Sequence, residues 1–430
     1  MPRLALLGGT PVADPVIEFR WPRLSAEARA CVTDMIQRGE ISYYGSEGKV
    51  KELERSCTTI FERTHALATA SGTAALHSAF FAAEFGPGDE VIVPSYTFLA
   101  TVMPLFVTKA APVLVDSERG TGNIDPGLVE QAITSRTRGL VVTHMWGHPC
   151  DMDRLVAIAR RHQLVLIEDC SHAHGSAYKG RQVGTFGDIA VYSMGAQKLV
   201  SGGMGGVLLT DSQEYFDRAV LFGHFNKRAQ QSVRSQRLLK SAYTGLGLNY
   251  RMHPFAAALI LDQMPRMQDV ITARHRNLSR LSSLIDEISG IEPPVTRPYA
   301  FRGAFYGYYP VIDAALGVPR GLFVEAVSAE GCPTRVPQYR PLHTLPVFQK
   351  SSYYRSLLSR AYSHGELPVS MDHWTRTFPI PTFTGDDERW KVDAYAEAIA
   401  KVVANISELC SLSAERGAHP SAAGRAKVTK

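Results

Sequence analysis

The chain has 430 residues, 45% of them hydrophobic and 20% charged, which is enough for one large domain and a smaller one, each with its own core. A formal net charge of +5 does not by itself call for a nucleic-acid partner, and no apolar run approaches the roughly 20 residues of a membrane helix. Six cysteines (Cys31, Cys57, Cys150, Cys170, Cys332, Cys410) lie scattered with no Cys-x-x-Cys pair, which argues for buried thiols in a reducing compartment rather than a disulfide framework.

In chain order, Met1–Thr10 lacks the basic-then-apolar pattern of a secretion signal, so a cytoplasmic protein is expected. From about residue 65 to 265, short β-rich runs alternate with helical stretches. Strands are expected at Glu90–Pro94, Pro112–Asp116, Gly139–His144, Leu164–Glu168, Ile189–Ser193 and Val207–Thr210. Helices are expected to begin at Gly72–Thr73, Phe98, Asp125, Asp151 and Glu214. That alternation predicts an α/β fold with a mostly parallel central sheet and helices on both faces. An amphipathic stretch, Phe255–Arg280, then leads into a smaller C-terminal α/β domain interrupted by Pro- and Tyr-rich loops at Pro293–Pro310 and Pro333–Pro346. The expected division is an N-terminal arm and large domain over 1–265, a small domain over 266–410 and a disordered Ser/Ala/Gly-rich tail over 411–430.

In open α/β sheets ligands collect beyond the carboxyl ends of the strands, on helix N-termini. Asp169 follows the apolar run Leu164–Ile167 in EDCSHAHGS, Lys198 follows Ile189–Tyr192 in YSMGAQKLVSGGMGG, and Ser71-Gly72-Thr73 opens a helix. Taken singly, each has an ordinary explanation: a solvated loop lysine, a helix-capping aspartate, a capping Ser-Gly-Thr, a core phenylalanine at Phe98. Together they match what pyridoxal phosphate requires. It needs a lysine amine for a Schiff base (Lys198) and an acid that keeps its ring nitrogen protonated (Asp169). It also needs a phosphate cradle (Gly72 and Thr73 with Ser193) and a flat group on the ring face (Phe98).

These segments, with ISYYGSEGKVKELE, ATASGTAALHSA, GDEVIVPSYTFLAT, EDCSHAHGSAYKGRQVGTFGD and GLNYRMHPFAAAL, resemble the DegT/StrS family of sugar and aminocyclitol aminotransferases, within the aspartate-aminotransferase-like fold (fold type I). The resemblance runs from about Gly39 to Leu409. It implies that Lys198 holds the cofactor and shuttles a proton, Asp169 pairs with the pyridinium nitrogen, Phe98 stacks on the ring and His172 lies near the cofactor. It implies that Gly72, Thr73 and Ser193 bind phosphate, and that Asn249 reaches the phosphate of a neighbouring subunit, hence a homodimer with shared active sites. His343, in YRPLH, matches a substrate-side residue. The implied reaction is a ping-pong transfer, through pyridoxamine phosphate, from glutamate or glutamine to a keto-sugar or keto-cyclitol, in amino-sugar, antibiotic or polysaccharide biosynthesis. Other readings are a lyase or an aminotransferase acting on a non-sugar carbonyl, or a non-catalytic regulatory relative. The sequence departs from the family pattern at Gly203-Met204-Gly205-Gly206, where the family has Gly-Glu-Gly-Gly, and at Met194-Gly195-Ala196-Gln197.

His144, His148, Cys150, Asp151 and Asp153 cluster in sequence but fit no common zinc spacing, and no metal is expected. The basic stretch Lys227, Arg228, Arg234, Arg237 and Lys240 is either a solvated loop or a receiver of a diphosphate.

Overall fold

The structure, a computed structural model, describes residues 2–349 and 355–418. Nine strands open the topology: β1 (His65–Thr69), β2 (Glu90–Pro94), β3 (Ala111–Val115), β4 (Thr137–Thr143), β5 (Val165–Asp169), the short β6 (Ala177–Tyr178) and β7 (Arg181–Gln182), then β8 (Ile189–Ser193) and β9 (Gly206–Thr210). Seven form one sheet in the order β1-β9-β8-β5-β4-β2-β3. Strands β3, β2, β4, β5 and β8 are mutually parallel, and β9 is antiparallel to both β8 and β1. The carboxyl ends of β1, β2, β4, β5 and β8 therefore share one edge, which β9 meets with its amino end. The expected strands all form, within two residues at their ends, and β1 is an addition.

Near-continuous apolar runs make these strands, because helices cover both faces of the sheet. One face buries Ile92, Leu140, Val142, Leu166 and Ala190 under helices that include Gly48–Ile60 and Pro254–Gln263. The other buries Val91, Val93, Val141, Ile167 and Val191 under Gly72–Ala82 and Gln213–Gly223. The expected amphipathic connection is two helices, Pro254–Gln263 and Met267–Asp286, with a 3-10 turn Met264–Arg266 between them. Pro265 sits in that turn, where it withdraws a backbone donor.

A second core gathers Leu278, Phe323, Tyr395 and Ile399 from the helices Met267–Asp286, Arg320–Ala329 and Arg389–Ala404. Its strand content is slight: Ile291–Glu292 pairs with Val311–Ile312. Two segments cross the division expected from the sequence. Leu4, Ala13 and Ile17 pack in the second core, whereas Leu342, Phe348, Tyr362 and Leu367 pack on the sheet. Residues 411–418, expected in the disordered tail, are helical: they continue the helix Ile406–Ala418, held by Leu409 and Leu412 against the second core, and 419–430 lie outside the described residues.

Candidate active site

The shared edge of the sheet brings most of the expected residues together. Ser71 caps the helix Gly72–Ala82, its side chain accepting from Ala74 N. Gly72 packs against the end of β8 so closely that a Cβ built on it would lie 2.7 Å from Ser193 Cβ. On the other side, a Cβ on Gly206 would meet the backbone carbonyl of Ser71 at 2.5 Å. Glycine at both positions lets the helix N-terminus, with the exposed Thr73, sit directly against Ser193. That sets the open N-terminus of a helix against the Ser193 side chain, an arrangement that suits a phosphate.

Asp169 ends β5 and is buried. Its Oδ2 accepts from the Thr101 hydroxyl at 2.8 Å and its Oδ1 from Ser171 N at 3.0 Å, which fixes the carboxylate while leaving acceptor capacity. Glu168, one residue earlier, points to the other face of the strand. It accepts from Gly184 N (2.8 Å), Phe186 N (2.8 Å), Gly187 N (2.6 Å) and His144 Nε2 (3.1 Å). Burial pushes the Glu168 carboxyl up, but His144 and these N–H groups outweigh it and hold it low. Glu168 thus orders the GTFGD turn, and Asp169 is left for the site.

Lys198 lies in the turn after β8, with its N–H donating to Gly195 O at 3.0 Å and its carbonyl accepting from Trp21 Nε1 at 2.9 Å. Its Nζ sits 4.0 Å from the centroid of the Tyr306 ring. Burial draws the amine down to about 8, against the pull of Asp169. His172 stacks on the same tyrosine, with centroids 4.0 Å apart. Its Nδ1 is buried with no partner, and burial, followed by Lys198, keeps the imidazole neutral.

The rest of the wall was not foreseen. Trp146, just beyond β4, stacks on Tyr309 (3.9 Å), His172 (5.1 Å) and Tyr339 (5.6 Å). It is buried at φ 53°, a conformation rare for a bulky residue. Phe98 is 41% exposed and meets Tyr339 edge-on at 5.2 Å. Tyr306, Tyr309 and Tyr339 come from the Pro- and Tyr-rich loops that the sequence marks only as interruptions. The one available signal was a tryptophan directly after a strand end. These aromatics, with Arg274, Arg335 and Trp21, border a cavity of about 550 Å³, a size ordinary for small-molecule sites.

Two expected residues are not brought in. His343 is fully buried, with Nδ1 2.7 Å from Ser95 Oγ and Nε2 3.3 Å from the His364 carbonyl. Both ring nitrogens are engaged within the chain, one at Ser95 just beyond β2 and one at the His364 carbonyl. Asn249 is exposed, and its Oδ1 accepts from Arg251 N; neighbouring backbone pairing (Ala70 N to Tyr250 O, 2.7 Å) lays its segment beside the end of β1. The departure at Met204 sits at a turn tip, 66% exposed and outside the cavity lining.

The weaker signals resolve into structure. His144 Nδ1 accepts from Cys150 N, His148 Nε2 accepts from Arg297 N, and Cys150 Sγ donates to Thr143 O. Arg228 is buried against Glu54 through two bonds of 2.9 and 3.1 Å, and Lys227 pairs with Glu47, so two of the five basic residues serve the fold.

The residues fit pyridoxal phosphate on several counts. A half-buried lysine amine is packed on an aromatic ring, a fixed aspartate keeps spare acceptor capacity, His172 Nδ1 is orphaned, and the Gly72–Ser193 cradle has no room for a Cβ.

Comparison with known proteins agrees. The profile of the DegT/DnrJ/EryC1/StrS aminotransferase family matches residues 22–385. The L-glutamine:2-deoxy-scyllo-inosose aminotransferase of Streptoalloteichus tenebrarius is 32% identical over 427 residues, covering 94% of this chain and 99% of that protein. The crystal structure of DesI in the presence of its TDP-sugar product superposes with a TM-score of 0.78 at 28% identity, covering 96% of this chain and 99% of that one. The structure of Spr1654 from Streptococcus pneumoniae, in its PLP-form, gives 0.77 at 25% identity, with 91% and 99% covered. The chain belongs to the DegT/DnrJ/EryC1/StrS aminotransferase family, and its cofactor is pyridoxal phosphate.

Proposed function

We propose that the protein moves an amino group from L-glutamine or L-glutamate to the ketone of a cyclitol or sugar. The observation that carries this is the half-buried, partly deprotonated Lys198 amine beside Asp169, packed on Tyr306, which lines an aromatic-walled cavity. The kinship to a glutamine-dependent aminocyclitol enzyme and to a structure holding a TDP-sugar supports the substrate class.

Pyridoxal phosphate, when bound, supplies a carbonyl for the amino group and a ring that withdraws electrons from the reacting carbon. The chain's own residues do the rest. Lys198 Nζ, neutral above about pH 8, is the nucleophile and then the proton carrier between reacting carbons in both half-reactions. Asp169 holds a positive ring nitrogen in place. Neutral His172 offers Nδ1 to a polar ring substituent. Gly72, Thr73 and Ser193 hold the phosphate, while Trp146 and the tyrosines exclude water and present flat faces to a sugar-like ring.

Asn249 fits a role toward a second subunit. It is exposed within the chain, and Tyr243 (72% exposed) and Leu246 (56%) beside it present apolar surface suited to a partner copy. We therefore read the active form as a homodimer in the cytoplasm.

The test is an absorption spectrum of the purified protein before and after excess L-glutamine or L-glutamate. A visible band that shifts to the near ultraviolet, and returns on adding a keto-cyclitol or keto-sugar, is the expected result. No band after reconstitution with pyridoxal phosphate would overturn the reading.

A further inference from the structure

We propose that Arg274 receives the α-carboxylate of the amino donor, so that this one side chain selects α-amino acids over simple amines; the proposal rests on the amino-transfer reading above. Arg274 stands on the helix Met267–Asp286 and is only 4% exposed, yet it borders the cavity, as does Tyr306, whose ring lies 4.0 Å from Lys198 Nζ. Its Nη1 donates to the Ala304 carbonyl at 2.8 Å, and its Nε is buried without a partner. No carboxylate pairs with it among the described residues. Glu388 also borders the cavity, but its oxygens accept from Arg23, Lys391, Thr384 N and Gly385 N. Glu388 attracts Arg274 without bonding to it, and a guanidinium taken out of water with no anion in contact is costly unless a ligand brings one.

Its position relative to the reacting amine is set by one indole. The Arg274 guanidinium lies over the Trp21 ring, 4.9 Å from its centroid, and Trp21 Nε1 donates to the Lys198 carbonyl. Both cations also bear on His174, which burial first, then Lys198 and Arg274, depress to about 3. An α-amino acid presenting its amine at the Lys198 centre carries its carboxylate carbon two bonds away, and Arg274 is the buried cation that shares Trp21 and His174 with Lys198. The planar fork of an arginine binds a carboxylate with two parallel hydrogen bonds and thereby fixes which bond of the donor faces Lys198. Arg335, at the same cavity, is solvent-exposed, and a cation in water discriminates poorly.

The experiment titrates the visible band of the holoenzyme with L-glutamine in wild type, Arg274→Gln and Arg274→Lys, with hydroxylamine as an amine that has no carboxylate. The expected result is a titration midpoint raised about 10- to 100-fold in Arg274→Gln, partly restored in Arg274→Lys, with the hydroxylamine response unchanged. An unchanged L-glutamine midpoint in Arg274→Gln would overturn the proposal. So would loss of the hydroxylamine response in both variants, because Arg274 would then be holding the site together. A wild-type band that responds to hydroxylamine but to neither L-glutamine nor L-glutamate would instead sink the amino-transfer reading itself.

Discussion

The Lys198 ammonium and the Tyr306 ring face each other at 4.0 Å, and His172 stacks on the same ring, also at 4.0 Å. A loop of the second part of the chain therefore closes the environment of the reactive amine. The π face favours the cation, while burial disfavours it more strongly and leaves the amine at about 8.

That balance predicts how cofactor capture depends on pH. Only the neutral amine attacks a carbonyl, so the rate at which cofactor-free protein takes up pyridoxal phosphate should rise with pH, roughly tenfold per unit, and flatten above about 8. Tyr306→Leu keeps an apolar wall but removes the π face, so the midpoint should fall by about half a unit. Stopped-flow absorbance across pH 6 to 10 reads both, with pH range chosen to bracket about 8. A midpoint that rises in Tyr306→Leu would mean the ring acts mainly by excluding water.

Asp169→Asn preserves shape and the Thr101 hydrogen bond but removes the charge that steadies a positive ring nitrogen. The visible band should persist while turnover with L-glutamine drops about 100-fold or more. Steady-state assays alongside spectra decide it; near-normal turnover would remove Asp169 from the chemistry.

Gly72→Ala should weaken cofactor retention at least about tenfold and destabilise the fold by about 1–3 kcal/mol, because the new methyl meets Ser193 at 2.7 Å. Adding Ser193→Gly should return part of the stability, since the clashing atom is gone, but not the lost phosphate hydroxyl. Equilibrium dialysis and thermal melts separate the two effects.

Arg228→Ala should cost about 3–5 kcal/mol, because it strands buried Glu54 without its partner. Arg237→Ala, on the exposed side of the same basic stretch, should stay within about 0.5 kcal/mol. Urea unfolding measures both. If Arg228→Ala instead left stability intact and impaired binding of a diphosphate-bearing acceptor, its pairing with Glu54 would be incidental.

Lys198, Asp169, Ser193 and Gly72 were legible in the chain because each follows a short apolar run or opens a helix, and parallel strands must deliver such positions to one edge. Periodicity and turn chemistry are local, so they survive in the sequence, as do the strands of the sheet. Tertiary packing decided the rest. What Glu168 does beside Asp169 was not legible, and only the pleat and the GTFGD turn assign it to structure. His343 shares the chemistry of a substrate residue, but the fold buries it and occupies both nitrogens. Trp146, Tyr306, Tyr339 and Arg274 come from four separate segments with no common spacing. They meet because the apolar faces of the second part of the chain can be buried only by folding it over the carboxyl edge of the sheet, and no local pattern records where such a fold will land.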